Sequence, residues 1–188
     1  MRWKNTKEAY GIITKTFHWL IFLLFANQYI VAYAMLSINQ QETALGGFRQ
    51  GTLYNWHKSI GLILLLLVLL RYTWRKTTRL PDWADSLTEL EQKIVHWYER
   101  VLYAAMFVMP ISGYLYVMAG GYGVHFFSRV HLYNPIPLSE SLAAAARWTH
   151  IATGWLILAA LALHVGLVLK HQLIQKDGML KRMLPFTE

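Results

Sequence analysis

No cysteine occurs anywhere in the chain. That absence excludes disulfides, zinc knuckles, iron–sulfur clusters and thioether-linked haem, so any redox chemistry must rest on a group held without a covalent bond. Acidic residues are scarce: ten Asp and Glu stand against eighteen Lys and Arg, a formal net charge of +8. Charge as a whole is scarce too, at 15% of 188 residues, while 55% are hydrophobic and the mean hydropathy is positive. This balance is too apolar for an ordinary soluble domain, and the length suits one domain over residues 1–188. The basic residues lie between apolar runs, a pattern of membrane topology, so lipid is the expected surrounding and no nucleic acid is expected as a partner. The opening MRWKNTKEAYGIITK is polar and has no small-residue cleavage site before the first long run. It does not read as a cleavable signal peptide.

A bilayer core is roughly 30 Å thick and asks for about 20 mostly apolar residues per helix. Between Lys15 and Glu42 there is no Asp, Glu, Lys or Arg, which predicts a first span over about 16–38. A second over about 54–75 reaches full length if Lys58 and Arg71 snorkel toward the interfaces. A third over about 94–119 contains Pro110, which predicts a kink, and a fourth covers about 145–170. The expected fold is all-α, an integral membrane four-helix bundle. Lys and Arg number four before the first span, five in 71–93 and four from Lys170 onward, against two in each remaining connection. That bias puts both termini and the middle connection of a multi-pass membrane protein in the cytoplasm. The connections around 39–53 and 119–146 then face the periplasm or the outside. Trp3, Trp19, Trp56, Trp74, Trp97 and Trp148 lie near the expected interfaces, as an aromatic belt would.

Ionisable groups inside a membrane are costly and mark function. The stretch RWTHIATGWLILAALALHVG carries His150 and His164, fourteen residues apart. At about 100° per residue the residual rotation is roughly 40°, so both share one helix face, about 21 Å apart along the axis. Each needs a partner at its own depth. His57, at the outer end of the second span, matches His150; His18, about one turn inside the first span, matches His164. Two imidazoles make a poor zinc site, whereas haem takes only two axial ligands because the porphyrin supplies the rest. Two b-type haems, on the pairs His57/His150 and His18/His164, are therefore expected.

Haem propionates would pair with cations. Arg71 is the candidate inside, and Lys58 and Arg147 outside, with snorkelling at helix ends the competing role for all three. Gly61, Gly113 and Gly154 would allow close approach of a helix or a macrocycle. Met106, Met109 and Met118 read as packing. His171 follows Lys170 and is expected among lipid headgroups, and His125 and His131 to be solvated or interfacial. His96, Glu99 and Arg100 are loosely expected near a quinone.

The stretches YGIITKTFHWL, WHKSIGLILLLLVLLRYTWR, LYAAMFVMPISGYL and WTHIATGWLILAALALHVG, with the tail HQLIQKDGMLKRMLP, give the chain a resemblance to the prokaryotic cytochrome b561 family over nearly its whole length. The resemblance implies a four-helix inner-membrane bundle with two b-type haems. Its ligands carry over to His18, His57, His150 and His164, the four that spacing selects. It also implies electron exchange with ubiquinone or another quinone, and superoxide or a periplasmic redox protein as the outer partner. One activity in the family is superoxide oxidation coupled to ubiquinone reduction; Lys58 and Arg147 would steer that anion. An anchor subunit serving a periplasmic dehydrogenase or hydrogenase is the alternative. A haem-free histidine relay for protons or metal is a third reading.

Overall fold

The structure is a computed structural model describing residues 2–39, 42–44 and 47–185. Positions 40, 41, 45 and 46, in the α1–α2 connection, lie outside the described residues. Four long helices form the body: α1 (Ile12–Ser37), α2 (Gln50–Thr77), α3 (Glu89–Ala119) and α4 (Glu140–Leu169). Each is long and apolar enough to cross a membrane. The helices begin four or five residues before the expected spans, where capping and interfacial turns precede the hydrocarbon-length core, and they end within two residues of the expected limits. Pro110 lies inside α3, which is helical on both sides of it.

Outward-facing side chains are apolar along all four helices. Leu23, Ile30, Leu66, Trp155 and Leu163 are all exposed, which is the surface lipid requires. Since lipid tails are as apolar as leucine, helix association must come from packing. One cluster joins Ile21, Ile60, Leu64, Val68, Tyr103 and Met106 from α1, α2 and α3; a second joins Val31, Ala34, Met35 and Leu53. The buried stripe of α4 is built of small residues, Ala143, Ala146, Thr153, Gly154 and Ala160, with Ile157. It lets α4 lie close along α3, while α4 stands off from α1 and α2. His150 and His164 fall in the same stripe at helical spacing, one turn beyond Ala146 and Ala160.

The termini meet at one end of the bundle. Asn5 accepts from the Gly11 amide and the Thr14 hydroxyl and donates to the Arg79 carbonyl, so it caps α1 and ties it to the α2–α3 connection. α3 starts on a capping box, Thr88 with Glu91, and α4 on the Ser139 hydroxyl. After α4 a single π-helical turn, Lys170–Gln175, leads through left-handed Lys176 and Gly178 into a 3₁₀ turn, Met179–Arg182. Arg182 then donates to the carbonyls of Glu8 and Asp82, and the Trp19 indole donates to that of Met183. N-terminal segment, middle connection and tail thus form one hydrogen-bonded knot.

The opposite end carries two short two-stranded ribbons. β1 (Thr43–Ala44) pairs with β2 (Phe48–Arg49), and β3 (Val124–Phe126) pairs antiparallel with β4 (Val130–Leu132). The second ribbon, unexpected from the sequence, lies on the N-terminal end of α2. Its turn holds Phe127 and Ser128 at φ 47° and 61°, costly for a phenylalanine and kept only where surroundings over-determine it. They do so here. The Phe127 amide donates to the Ser59 hydroxyl at 2.7 Å, Ser59 donates to the Asn55 carbonyl, and Asn55 donates to the Ser128 hydroxyl. The Phe127 ring meets Trp56 edge-on. Ser59 is fully buried, so Ser59→Ala strands the Phe127 N–H and should cost about 1–3 kcal/mol. Thermal unfolding of the detergent-solubilised protein checks this, with Ser59→Thr, which keeps the hydroxyl, as the reference substitution.

Candidate functional site

The seam between α4 and the α1–α2 pair is where the four histidines meet. At the ribbon end, the His57 and His150 ring centroids are 6.1 Å apart; at the termini end, His18 and His164 are also 6.1 Å apart. Two imidazoles bonded to one metal from opposite sides, at about 2.0 Å per bond, would place their centroids roughly 6.2 Å apart. Among the described residues no three His, Asp or Glu side chains are grouped to hold a metal ion. Two imidazoles at such a separation suit a group that brings its own equatorial ligands.

The ribbon-end pair opens on a cavity between α1, α2, α3 and α4, with about 870 Å³ free of protein atoms, its open mouth included. His57 and His150 line it with Gln28, Lys58 and Gly113, among mostly apolar neighbours. His150 Nδ1 is 2.7 Å from the Met109 carbonyl oxygen. A carbonyl only accepts, so Nδ1 carries the proton and Nε2 keeps its lone pair for a ligand. A Cβ on Gly113 would stand 3.0 Å from the His150 ring, so glycine is what lets α3 pass that ring edge. Gly61 and Gly154 are less constrained: a Cβ there would meet Gln28 at 3.5 Å and Met109 at 3.4 Å. Gln28 donates to the His57 carbonyl at 2.8 Å, while its own Oε1 and the His57 Nδ1 are buried without partners. Such unsatisfied atoms are costly in an apolar seam and mark a functional position. These residues fit a haem.

At the termini end His164 Nδ1 is 3.1 Å from the Tyr98 hydroxyl. Arg71 Nη2 lies 3.4 Å from His18 Nδ1. A guanidinium only donates, so this contact belongs to the tautomer with the proton on Nε2. Ligation through Nε2 requires that proton to move to Nδ1 and Arg71 to turn to another acceptor, such as a carboxylate. Tyr103 lies under both Arg71 and Arg75, at 5.6 and 5.7 Å, and Arg75 is paired with Glu99.

The other cations divide. Lys58 reaches over the cavity to donate to the Gly123 carbonyl at 2.9 Å. Arg147 is exposed, stacked on Trp148, and is not among the cavity-lining residues. His96 and Arg100 are exposed on α3, and Glu99 is turned to Arg75. Met106 and Met118 are packed in the interior, and Met109 lines the cavity. Gln28, Tyr98 and the Met109 carbonyl escaped sequence reasoning. Uncharged groups inside apolar spans carry no distinguishing pattern, and only Gln28, a polar side chain in an uncharged run, could have been noticed.

His171, expected among headgroups, is completely enclosed by the chain. Its Nδ1 bonds Asp177, its Nε2 lies 3.6 Å from Glu91, and Glu91 also pairs with Lys170. Asp177 beyond the π turn and Glu91 at the start of α3, not lipid, stand against its ring. Burial pushes the Asp177 carboxyl up, but hydrogen bonds from His171, the Met179 amide and Ser86 outweigh this and hold it down at about 2. A carboxylate depressed in the folded state stabilises above its ordinary pKa near 3.9 and loses that contribution as pH falls through the folded value. Asp177→Asn should therefore lower the melting temperature by a constant amount from pH 8 to 5. The gap to the parent protein should narrow between pH 4 and 2, as read in a pH series of thermal melts.

A family model described as prokaryotic cytochrome b561 matches residues 9–186. The chain is also similar to "Cytochrome b561 homolog 2" of Escherichia coli (strain K12), 29% identical over 186 residues, which is 98% of this chain and 95% of that protein. With four long apolar helices and paired histidines between them, the chain belongs to the prokaryotic cytochrome b561 family, multi-pass electron-transfer proteins of the bacterial inner membrane that bind haem b.

Proposed function

We propose that His57 with His150, and His18 with His164, are the axial ligands of two b-type haems, and that the protein carries electrons from a periplasmic donor to membrane quinone. The observation carrying this reading is the recurrence of one separation, 6.1 Å, in two histidine pairs that share α4. When bound, each haem supplies a reversible one-electron couple. The rest is the work of the chain. The Met109 carbonyl fixes the His150 tautomer. The small-residue face of α4 sets the width of the seam, and the aliphatic walls keep water from the interior. Arg71 and Lys58 are the cations within reach of anionic substituents, one at each end.

The excess of Lys and Arg at the termini end supports a periplasmic ribbon end. Superoxide is the donor we favour. Two superoxide anions give two molecules of dioxygen and two electrons, which with two protons reduce one quinone to quinol. Oxidising superoxide by outer-sphere transfer needs no acid or base, only access and a positive field. Lys58, at the ribbon-end cavity, provides that field. Quinone reduction is proposed at the termini end, where protons are available and where the Tyr98 hydroxyl borders His164.

The first test is a haem count per chain by pyridine haemochrome. Two haems are expected in the parent protein and one in His57→Ala or His150→Ala; loss of both haems or of neither refutes the pairing. Gly113→Ala should shift the His150 ring and lower haem occupancy without lowering expression. Lys58→Gln should slow superoxide-driven quinone reduction about threefold or more at low salt and flatten its ionic-strength dependence. An unchanged rate and salt profile would remove Lys58 from the donor site.

A further inference from the structure

Of the four histidines outside the proposed axial pairs, two stand together. In the β3–β4 ribbon His125 is paired across the strands with His131, so both side chains stand on one face. Val124, on the opposite face, is buried against the cavity, while both histidines are exposed. Their ring centroids are 4.6 Å apart. By the geometry used above for the axial pairs, with about 3.1 Å from a metal to each imidazole centroid, this separation corresponds to a nitrogen–metal–nitrogen angle of roughly 95°. The axial pairs are spaced for opposite sides of one iron; this pair is spaced for adjacent positions on one ion.

From this cross-strand juxtaposition, we propose that His125 and His131 form a two-imidazole chelate on the ribbon for a first-row divalent metal ion, Cu(II) in first place. The chelate is independent of the haem sites. Imidazole suits copper, nickel and zinc, and affinity at a given nitrogen site rises to copper and falls again at zinc. Only two protein ligands are present, so water or a small anion completes the coordination. Lys58, held on the Gly123 carbonyl, favours an anion in those open positions. Preorganisation is what gives so small a site its affinity. The ribbon turn is held by Ser59 and Asn55, and Lys58 ties the approach to β3 at Gly123. The rings therefore need little ordering. An ion held there joins the two strands and stiffens the strap that closes the cavity at Val124.

The test is a Cu(II) titration of the haem-loaded full chain in detergent, read by the copper EPR signal in parallel with calorimetry. One strongly bound copper per chain is expected, with hyperfine structure from two nitrogens. His125→Gln and His131→Gln should each weaken it tenfold or more while leaving the haem spectrum and haem count unchanged. His96→Gln, on an exposed histidine elsewhere, should change nothing. Copper affinity unaltered in both ribbon variants, or lost instead in His96→Gln, would overturn the proposal. Binding seen only at millimolar copper would overturn it as well.

Discussion

An imidazole inside a bilayer has no water to fall back on, and this chain encloses four in one seam. Each ring nitrogen must find a protein partner or a ligand, and the helices are arranged around that demand. α4 packs on α3 through alanines, glycine and threonine, which fixes where its histidine-bearing edge points. It then stands away from α1 and α2 by about the width that two facing imidazoles need. A seam closed by leucine and isoleucine would pack better and hold nothing. The gap is sustained by α3, whose Met109 carbonyl binds one ring and whose Gly113 gives that ring room.

The two ends of the bundle solve different problems. At the termini end three chain segments are knotted by hydrogen bonds, and cations are held against carboxylates and rings: Arg75 on Glu99, Lys170 on Glu91, Arg71 over Tyr103. Positive charge there is partly neutralised and immobilised. At the ribbon end the positive charges are fewer, and one of them, Lys58, hangs over an open cavity beneath a strained turn.

Much of this was legible from the chain itself, for particular reasons. The helices were readable because lipid demands about 20 apolar residues in a row, and uncharged runs of that length between basic clusters are rare outside membrane spans. His150 and His164 were readable as one face because fourteen residues is close to a whole number of helical turns. Other features depended on partners distant in sequence. The burial of His171 is made by Asp177 and by Glu91, which lies far upstream at the start of α3. The β3–β4 ribbon relies on Ser59 and Asn55 of another helix to hold phenylalanine and serine in left-handed backbone. Arg147 looked equivalent to Lys58 by distance from a histidine, yet its side chain turns outward onto Trp148.

The sequence by itself determined what periodicity and composition can carry: four membrane-spanning helices and the common face of the α4 histidines. It also marked the basic bias between the two ends and, through the missing cysteine, the absence of any thiol ligand. Those properties are one-dimensional, set by local spacing and by the bilayer as solvent. Only the tertiary structure decided which rings confront one another at 6.1 Å, which nitrogen is tied to Met109 or Tyr98, and which cation overhangs the cavity. It alone brought His125 across from His131. These depend on helix rotation and on strand register, and both are chosen by packing between segments that are far apart in the chain.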